Sequence, residues 1–113
     1  MHEVGIIQEA VRMAVEAARH QGASRVTCIR LRVGVMSGVV PEALSFAFDL
    51  AIRETMAQGA TLEIETVTPA CWCARCQQEF DCADYVNECP QCGDMSNELR
   101  RGKELDLISV EVE

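Results

Sequence analysis

Two Cys-x-x-Cys pairs, Cys73 with Cys76 and Cys89 with Cys92, constrain this chain more than anything else in it. Twelve residues, 77–88, lie between them. Two residues between cysteines let one tight turn aim two thiolates at a point. Two such turns brought together supply the four sulfurs of a tetrahedral metal site. Pro90 fixes its own φ inside the second pair, and Gly93 permits a left-handed turn just beyond it. A full set of four thiolates leaves no position open for water or substrate, so an ion held there is structural and the function must lie elsewhere. Zinc suits the set. Iron stays open on spacing alone, because rubredoxin-like iron sites also use two such turns, usually with Gly after each. Here Gly93 follows the second pair but Gln77 follows the first, which favours zinc.

The other cysteines are Cys28, Cys71 and Cys82. Cys71-Trp72-Cys73 offers an alternative ligand or a reactive thiol. Only the two matched pairs give equivalent turns, however, so Cys71 and Cys82 are expected to be bystanders. Cys28 lies in a strand-like stretch and is expected to be a small buried hydrophobe. Seven cysteines is an odd number, which a fully disulfide-paired monomer could not have. No apolar run approaches the roughly 20 residues needed to span a bilayer. The opening Met1-His2-Glu3 has neither the basic nor the apolar region of a signal peptide. An intracellular, reducing location is therefore expected, where clustered cysteines serve as ligands rather than disulfides. A net charge of −8 argues against general affinity for a phosphate backbone. The one dense basic stretch, Arg100-Arg101-Gly102-Lys103, is too short to reverse that.

A chain of 113 residues makes one ordinary domain, or a small one with an appendage. Residues 5–21 read as a helix, with Ile7, Ala10, Val11, Ala14, Ala17 and Ala18 on one face and Gly22 as the stop. Residues 26–36 alternate as a strand, with Ile29, Leu31, Val33 and Val35 on one side and Cys28, Arg30 and Arg32 on the other. Pro41 opens a second helix predicted to run to Ala57 before Gly59, with Leu44, Ala47, Phe48, Ala51 and Ile52 as its stripe. Phe46 and Leu50 fall off the stripe and either widen it or form a second contact surface. Residues 61–68 form a strand with Leu62 and Ile64 inward and Glu63 and Glu65 on a solvated face. Residues 105–112 form a third strand whose parity breaks. Leu105 and Leu107 face one way while Ile108, Val110 and Val112 face the other, so either a bulge lies near Leu107 or both faces are covered. The order gives an α+β fold: a small three-stranded sheet with two helices, plus an inserted zinc-ribbon-like module of four cysteines. Residues 1–69 and 104–113 make the α/β domain, and 70–103 make the module, which is too small to hold together without its metal.

Catalytic machinery is not legible. Two histidines, His2 and His20, leave little material for general acid–base work, and there is no Gly-rich phosphate loop. The chain reads as a binding protein and not an enzyme. Asp81, Asp84 and Glu88 would tune the charge of the cysteine module. His20 suits a helix C-terminus. His2 follows the first residue, where amine, backbone amides and imidazole can converge on one ion, and an all-nitrogen set suits Ni(II) or Cu(II). On the residues alone, an idle histidine on a frayed end is the simpler account. A zinc-ribbon adaptor for protein partners remains the alternative function.

The opening Met1-His2-Glu3 resembles that of the HypA/HybF hydrogenase nickel-incorporation proteins. Arg25-Val26-Thr27, Arg32-Val33-Gly34, Phe46-Ala47-Phe48-Asp49, Gln58-Gly59-Ala60, Cys71-Trp72-Cys73-Ala74-Arg75-Cys76 and Cys89-Pro90-Gln91-Cys92 are similar to that family too. The likeness spans essentially the whole chain. It implies a cytoplasmic nickel metallochaperone, with Ni(II) held by the His2 side chain and backbone nitrogens of residues 1–3, so Met1, His2 and Glu3 form the nickel site. In that family the residue matching Glu3 supports the site and partner contacts, and cysteines matching Cys73, Cys76, Cys89 and Cys92 hold Zn(II). The implied partners are a HypB-type GTPase, the large subunit of [NiFe]-hydrogenase and, in some bacteria, urease maturation proteins. Nucleic acid and membrane are not among them. The resemblance leaves open a homodimer formed by strand exchange.

Overall fold

Apolar residues recurring at helical spacing build α1, Glu3–His20, in a computed structural model that describes residues 2–82 and 87–113. Met1 and Asp84, both named above, lie outside the described residues. Ile7, Ala10, Val11, Ala14 and Ala18 form the buried face, whereas Ala17, expected there, is exposed. The helix starts two residues earlier than predicted. Glu3 favours the positive end of the helix dipole, and Arg19 and His20 favour the other end. Gly22, at φ 71°, closes the helix as expected. Its N–H donates to the Arg19 carbonyl and that of Ala23 donates to Ala18, both at 3.0 Å, which satisfies two end carbonyls.

Strand β1, Val26–Gly34, is central. It pairs in parallel with β2, Thr61–Val67, and antiparallel with the last strand, Leu105–Val112. Ile29, Leu31 and Val33 are buried, but Val35 lies past the end of β1 and is half-exposed. On the opposite face the parallel register sets Arg30 against Glu63 and Arg32 against Glu65, with ion pairs of 2.6 and 2.8 Å. Cys28 is buried, as expected. In the last strand, Ser109 pairs with Arg30 but Leu107 pairs with Leu31, so Ile108 is an extra residue and the parity break is a bulge.

Helix α2, Pro41–Ala51, packs on α1 and β2. It ends six residues short of the expected limit at Ala57. Thr55 Oγ1 donates to the Ile52 carbonyl (2.8 Å) and accepts the Ala57 N–H (3.0 Å), while Glu54 turns to φ 61°. Side-chain bonds of this kind compete with helical ones and fold the segment back. Ala57 is nonetheless fully buried. Leu44, Ala47, Phe48 and Ile52 join the core. Phe46 and Leu50 do not widen it: they are 71% and 48% exposed.

The inserted segment has its own antiparallel sheet, which sequence periodicity did not reveal. Its strands are β3 (Ala70–Cys73), β4 (Gln78–Asp81) and β5 (Leu99–Arg101), with β3 in the middle. The Leu105–Val112 strand is therefore β6. The two sheets meet where the connecting chains cross the end of β1. A Cβ on Gly34 would stand 2.1 Å from the Gly102 carbonyl oxygen, and one on Gly102 would stand 2.8 Å from Pro69 Cα. The bare backbones exchange hydrogen bonds there instead. Gly34 N–H donates to Glu104 and Met36 N–H to Gly102, each at 2.7 Å.

Candidate metal centres

The two Cys-x-x-Cys turns fold alike. The Gln77 N–H donates to the Cys73 carbonyl at 2.8 Å, and the Gly93 N–H donates to that of Cys89 at 2.9 Å. The residue after each pair is left-handed, with φ 56° at Gln77 and 79° at Gly93. Gln77 accepts a conformation that Gly adopts freely, and its side chain braces the turn with a bond to the Ala74 carbonyl at 2.5 Å. The Cys76 N–H also donates to Cys73 Sγ at 3.3 Å. A bridge between Glu88 and Met95 closes the base of the second turn.

The four sulfurs of Cys73, Cys76, Cys89 and Cys92 all lie within 4.8 Å of one another. Cys73 Sγ is 3.5 Å from Cys92 Sγ, and Cys76 Sγ is 3.9 Å from Cys89 Sγ. A tetrahedral zinc with bonds of about 2.3 Å keeps its sulfurs about 3.8 Å apart, so this quartet fits a zinc site. Cys73 and Cys89 are buried, and Cys76 and Cys92 are half-buried. Without a cation the four share protons. The N–H groups of Cys92 and Gln91 draw the Cys89 thiol down to about 7. Hydrogen bonding with Cys92 and then burial push Cys76 up to about 12. Four thiolates this close cannot all be charged unless a cation sits among them.

Cys71 and Cys82 lie outside the quartet, each 2% exposed or less, and Cys71 Sγ donates to Asn87 Oδ1 at 3.6 Å. Asp81 and Glu88 are exposed at the module's surface.

At the other end of the molecule, His2 is the exposed N-cap of α1, and its carbonyl accepts the Ile6 N–H at 2.9 Å. The first turn of a helix leaves N–H groups without intrahelical partners, so backbone nitrogens gather at this end. Glu3 turns inward and is only 8% exposed. Its Oε2 accepts the Val40 N–H at 3.2 Å, tying the head of α1 to the residue that caps α2. Its own N–H and that of Val40 hold the carboxyl below the usual carboxylate range. Among the described residues, no cluster of three or more ligating side chains forms around His2, and the only such group is the cysteine quartet. Among the described residues, then, side chains alone do not gather three ligands at the head of α1. A groove of about 660 Å³ opens beside His2, between α1 and β6, lined among others by Ile6, Met13, Leu105 and Leu107. His20 sits exposed in the last turn of α1. Among the described residues, no helix is long and apolar enough to cross a membrane.

Neither the Glu3–Val40 contact nor the groove is legible in the sequence. Both depend on contacts between residues far apart in the chain, and no local pattern signals them.

A family described as hydrogenase/urease nickel incorporation, metallochaperone, hypA matches residues 1–112. A hydrogenase maturation factor HypA from Picosynechococcus sp. is 46% identical over 112 residues, covering 99% of both chains. One from Albidiferax ferrireducens is 37% identical over 113 residues, covering both chains fully. The solution structure of the Ni metallochaperone HypA from Helicobacter pylori shares the fold, with a TM-score of 0.68 at 21% identity, covering 99% of this chain and 97% of that one. With a match along its whole length and relatives well above 30% identity, this chain belongs to the HypA family of hydrogenase/urease nickel-incorporation metallochaperones.

Proposed function

We propose that this protein binds one Ni(II) at its N-terminus and delivers it to the large subunit of [NiFe]-hydrogenase, with zinc in the cysteine quartet. The observation that carries the reading is the position of His2. It stands exposed at the head of α1, on a chain whose family match begins at residue 1. The proposed donors are the His2 imidazole and backbone nitrogens of residues 1–3, a set that suits Ni(II) better than a hard cation. Glu3 belongs to this site by orienting it, since its carboxylate is occupied with the Val40 N–H. An ion held at a chain end can exchange its donors one at a time, which suits cargo that must be released. Backbone amides bind only after losing a proton, so affinity falls in acid.

Zinc in the quartet would supply cohesion to a module with very little core of its own. Residues 1–69 and 104–113 are taken as the nickel-binding domain and 70–103 as the zinc-binding domain, a division supported by separate sheets and separate apolar clusters. A HypB-type GTPase is the proposed partner in loading or release, and the setting is the cytoplasm. The role is binding and transfer, not catalysis.

Nickel titration of the untagged protein by calorimetry tests the reading. One Ni(II) per chain is expected, with binding lost in His2→Ala and on extension of the N-terminus by a few residues. Unchanged affinity in both would sink it.

A further inference from the structure

The cysteine module holds more thiols than one ion uses. Among the described residues, its core and the apolar groups packed on it comprise eight side chains, and six of them are cysteines. Four form the quartet. The other two, Cys71 and Cys82, are 2% and 1% exposed and have no part in the nickel reading.

The β3–β4 register brings them together. Cys71 lies opposite Phe80, and the Cys82 N–H donates to the Pro69 carbonyl at 3.3 Å. Side chains alternate along a strand, so Cys71 and Cys82 share one face as diagonal neighbours. Both are buried in one cluster with Phe80, with Leu99 packed on it, and Cys71 Sγ donates to Asn87 Oδ1 at 3.6 Å. Two chemistries suit such a pair: a disulfide, or a soft cation held between the sulfurs. Diagonal neighbours on an antiparallel pair have Cα atoms about 7–8 Å apart. A disulfide closes only up to about 6.8 Å. The register therefore disfavours a direct sulfur–sulfur bond and leaves room for an ion. Two sulfurs fall short of the four donors that structural zinc takes. Soft sulfur donors in a low coordination number select Cu(I).

We propose that Cys71 and Cys82 form a second thiol site, separate from the quartet, that takes one soft monovalent cation such as Cu(I). The proposal rests on the quartet being a closed metal site of its own. Loading replaces two thiol protons with one cation: Cu(I) enters, two S–H bonds break, two Cu–S bonds form and two protons leave to solvent. No electron is transferred. A copper ion reaching the module then has a place to bind that leaves the quartet's ion undisturbed.

Anaerobic titration of the zinc-loaded full chain with Cu(I), against bicinchoninate as a competing chelator, tests this by native mass spectrometry. The expected product is a species with one zinc and one copper. Cys71→Ser and Cys82→Ser should each lose the copper while keeping the zinc. First-equivalent copper that ejects zinc from the unmodified chain would overturn the proposal. So would failure of that chain to take copper, or a zinc-plus-copper species undiminished in both variants. If a variant does not fold, zinc ejection from the unmodified chain, or its failure to take copper, still overturns the proposal. A protein that holds no zinc before copper is added would instead count against the reading of the quartet.

Discussion

Glu3 sits where two helices begin, and its carboxylate is one of the few long-range polar contacts at the head of the chain. It accepts the Val40 N–H, and the backbone bonds that hold it keep its pKa below the ordinary value of 4.5. A carboxyl whose pKa is lowered by folding stabilises the fold above its unfolded value. That contribution disappears as pH falls through the folded one. Glu3→Gln is therefore expected to lower the melting temperature near neutral pH, with the gap to the parent protein narrowing below about pH 4.5. Melting curves across the acid range check this, and a gap that stays constant there would show that the charge of Glu3 does not matter. At this scale the spacing of four cysteines announced the quartet. The same spacing did not disclose that Gln77 would take the left-handed conformation of Gly93. Nor did anything near Glu3 in sequence point to residue 40, because a hydrogen bond to a distant backbone N–H leaves no periodic trace.

Element boundaries followed from competition between patterns and side-chain bonds. The stripe of α2 continues past Ala51, yet the hydroxyl of Thr55 ends the helix and still delivers Ala57 to the core. Strand β6 shows the reverse case, in which an apparent defect in the pattern carried structural information. Leu107 and Val110 have opposite parity, but both pack on the main core because Ile108 is inserted between their registers. The short strands β3, β4 and β5 stayed hidden, since three or four residues are too few to show a period and cysteines take two of their four buried positions. Deleting Ile108 would restore a regular ladder that still turns Leu107 and Val110 to the core, because the two would then lie two residues apart. Leu107→Ala instead removes a partly buried side chain from that face, at an expected cost of about 1–2 kcal/mol, part of the value for full burial. The deletion of Ile108 should therefore cost less than Leu107→Ala. Urea unfolding of the two variants tests the claim, and a deletion that costs as much as Leu107→Ala would mean that Ile108 is not the extra residue of the register.

Two cores of different chemistry share one chain. The first is aliphatic, built around Ile7, Ile29, Leu44 and Phe48 with α1 and α2 packed on the sheet. The second is mostly sulfur, with Phe80 and Leu99 as its only non-cysteine members among the described residues. Removing a structural ion leaves the second core with little apolar area to hold it, while the first loses nothing. The crossing of Gly34, Gly102 and Pro69 is where the two meet, so disturbance in the module should reach the end of β1 and stop there. Chelation of the quartet's metal under reducing conditions is expected to abolish dispersed amide signals from residues 70–82 and 87–101. Signals from α1, α2 and the middle of β1 should persist, and those of Gly34 and Met36 should shift. Gly34→Ala sharpens the test, because its methyl group would have to displace the Gly102 backbone. In that variant the crossing is already open, so chelation should no longer move the amides near residue 34 beyond the shift the substitution itself produces. Loss of all signals together on chelation would mean that the aliphatic core depends on the metal after all, and that the two cores unfold as one.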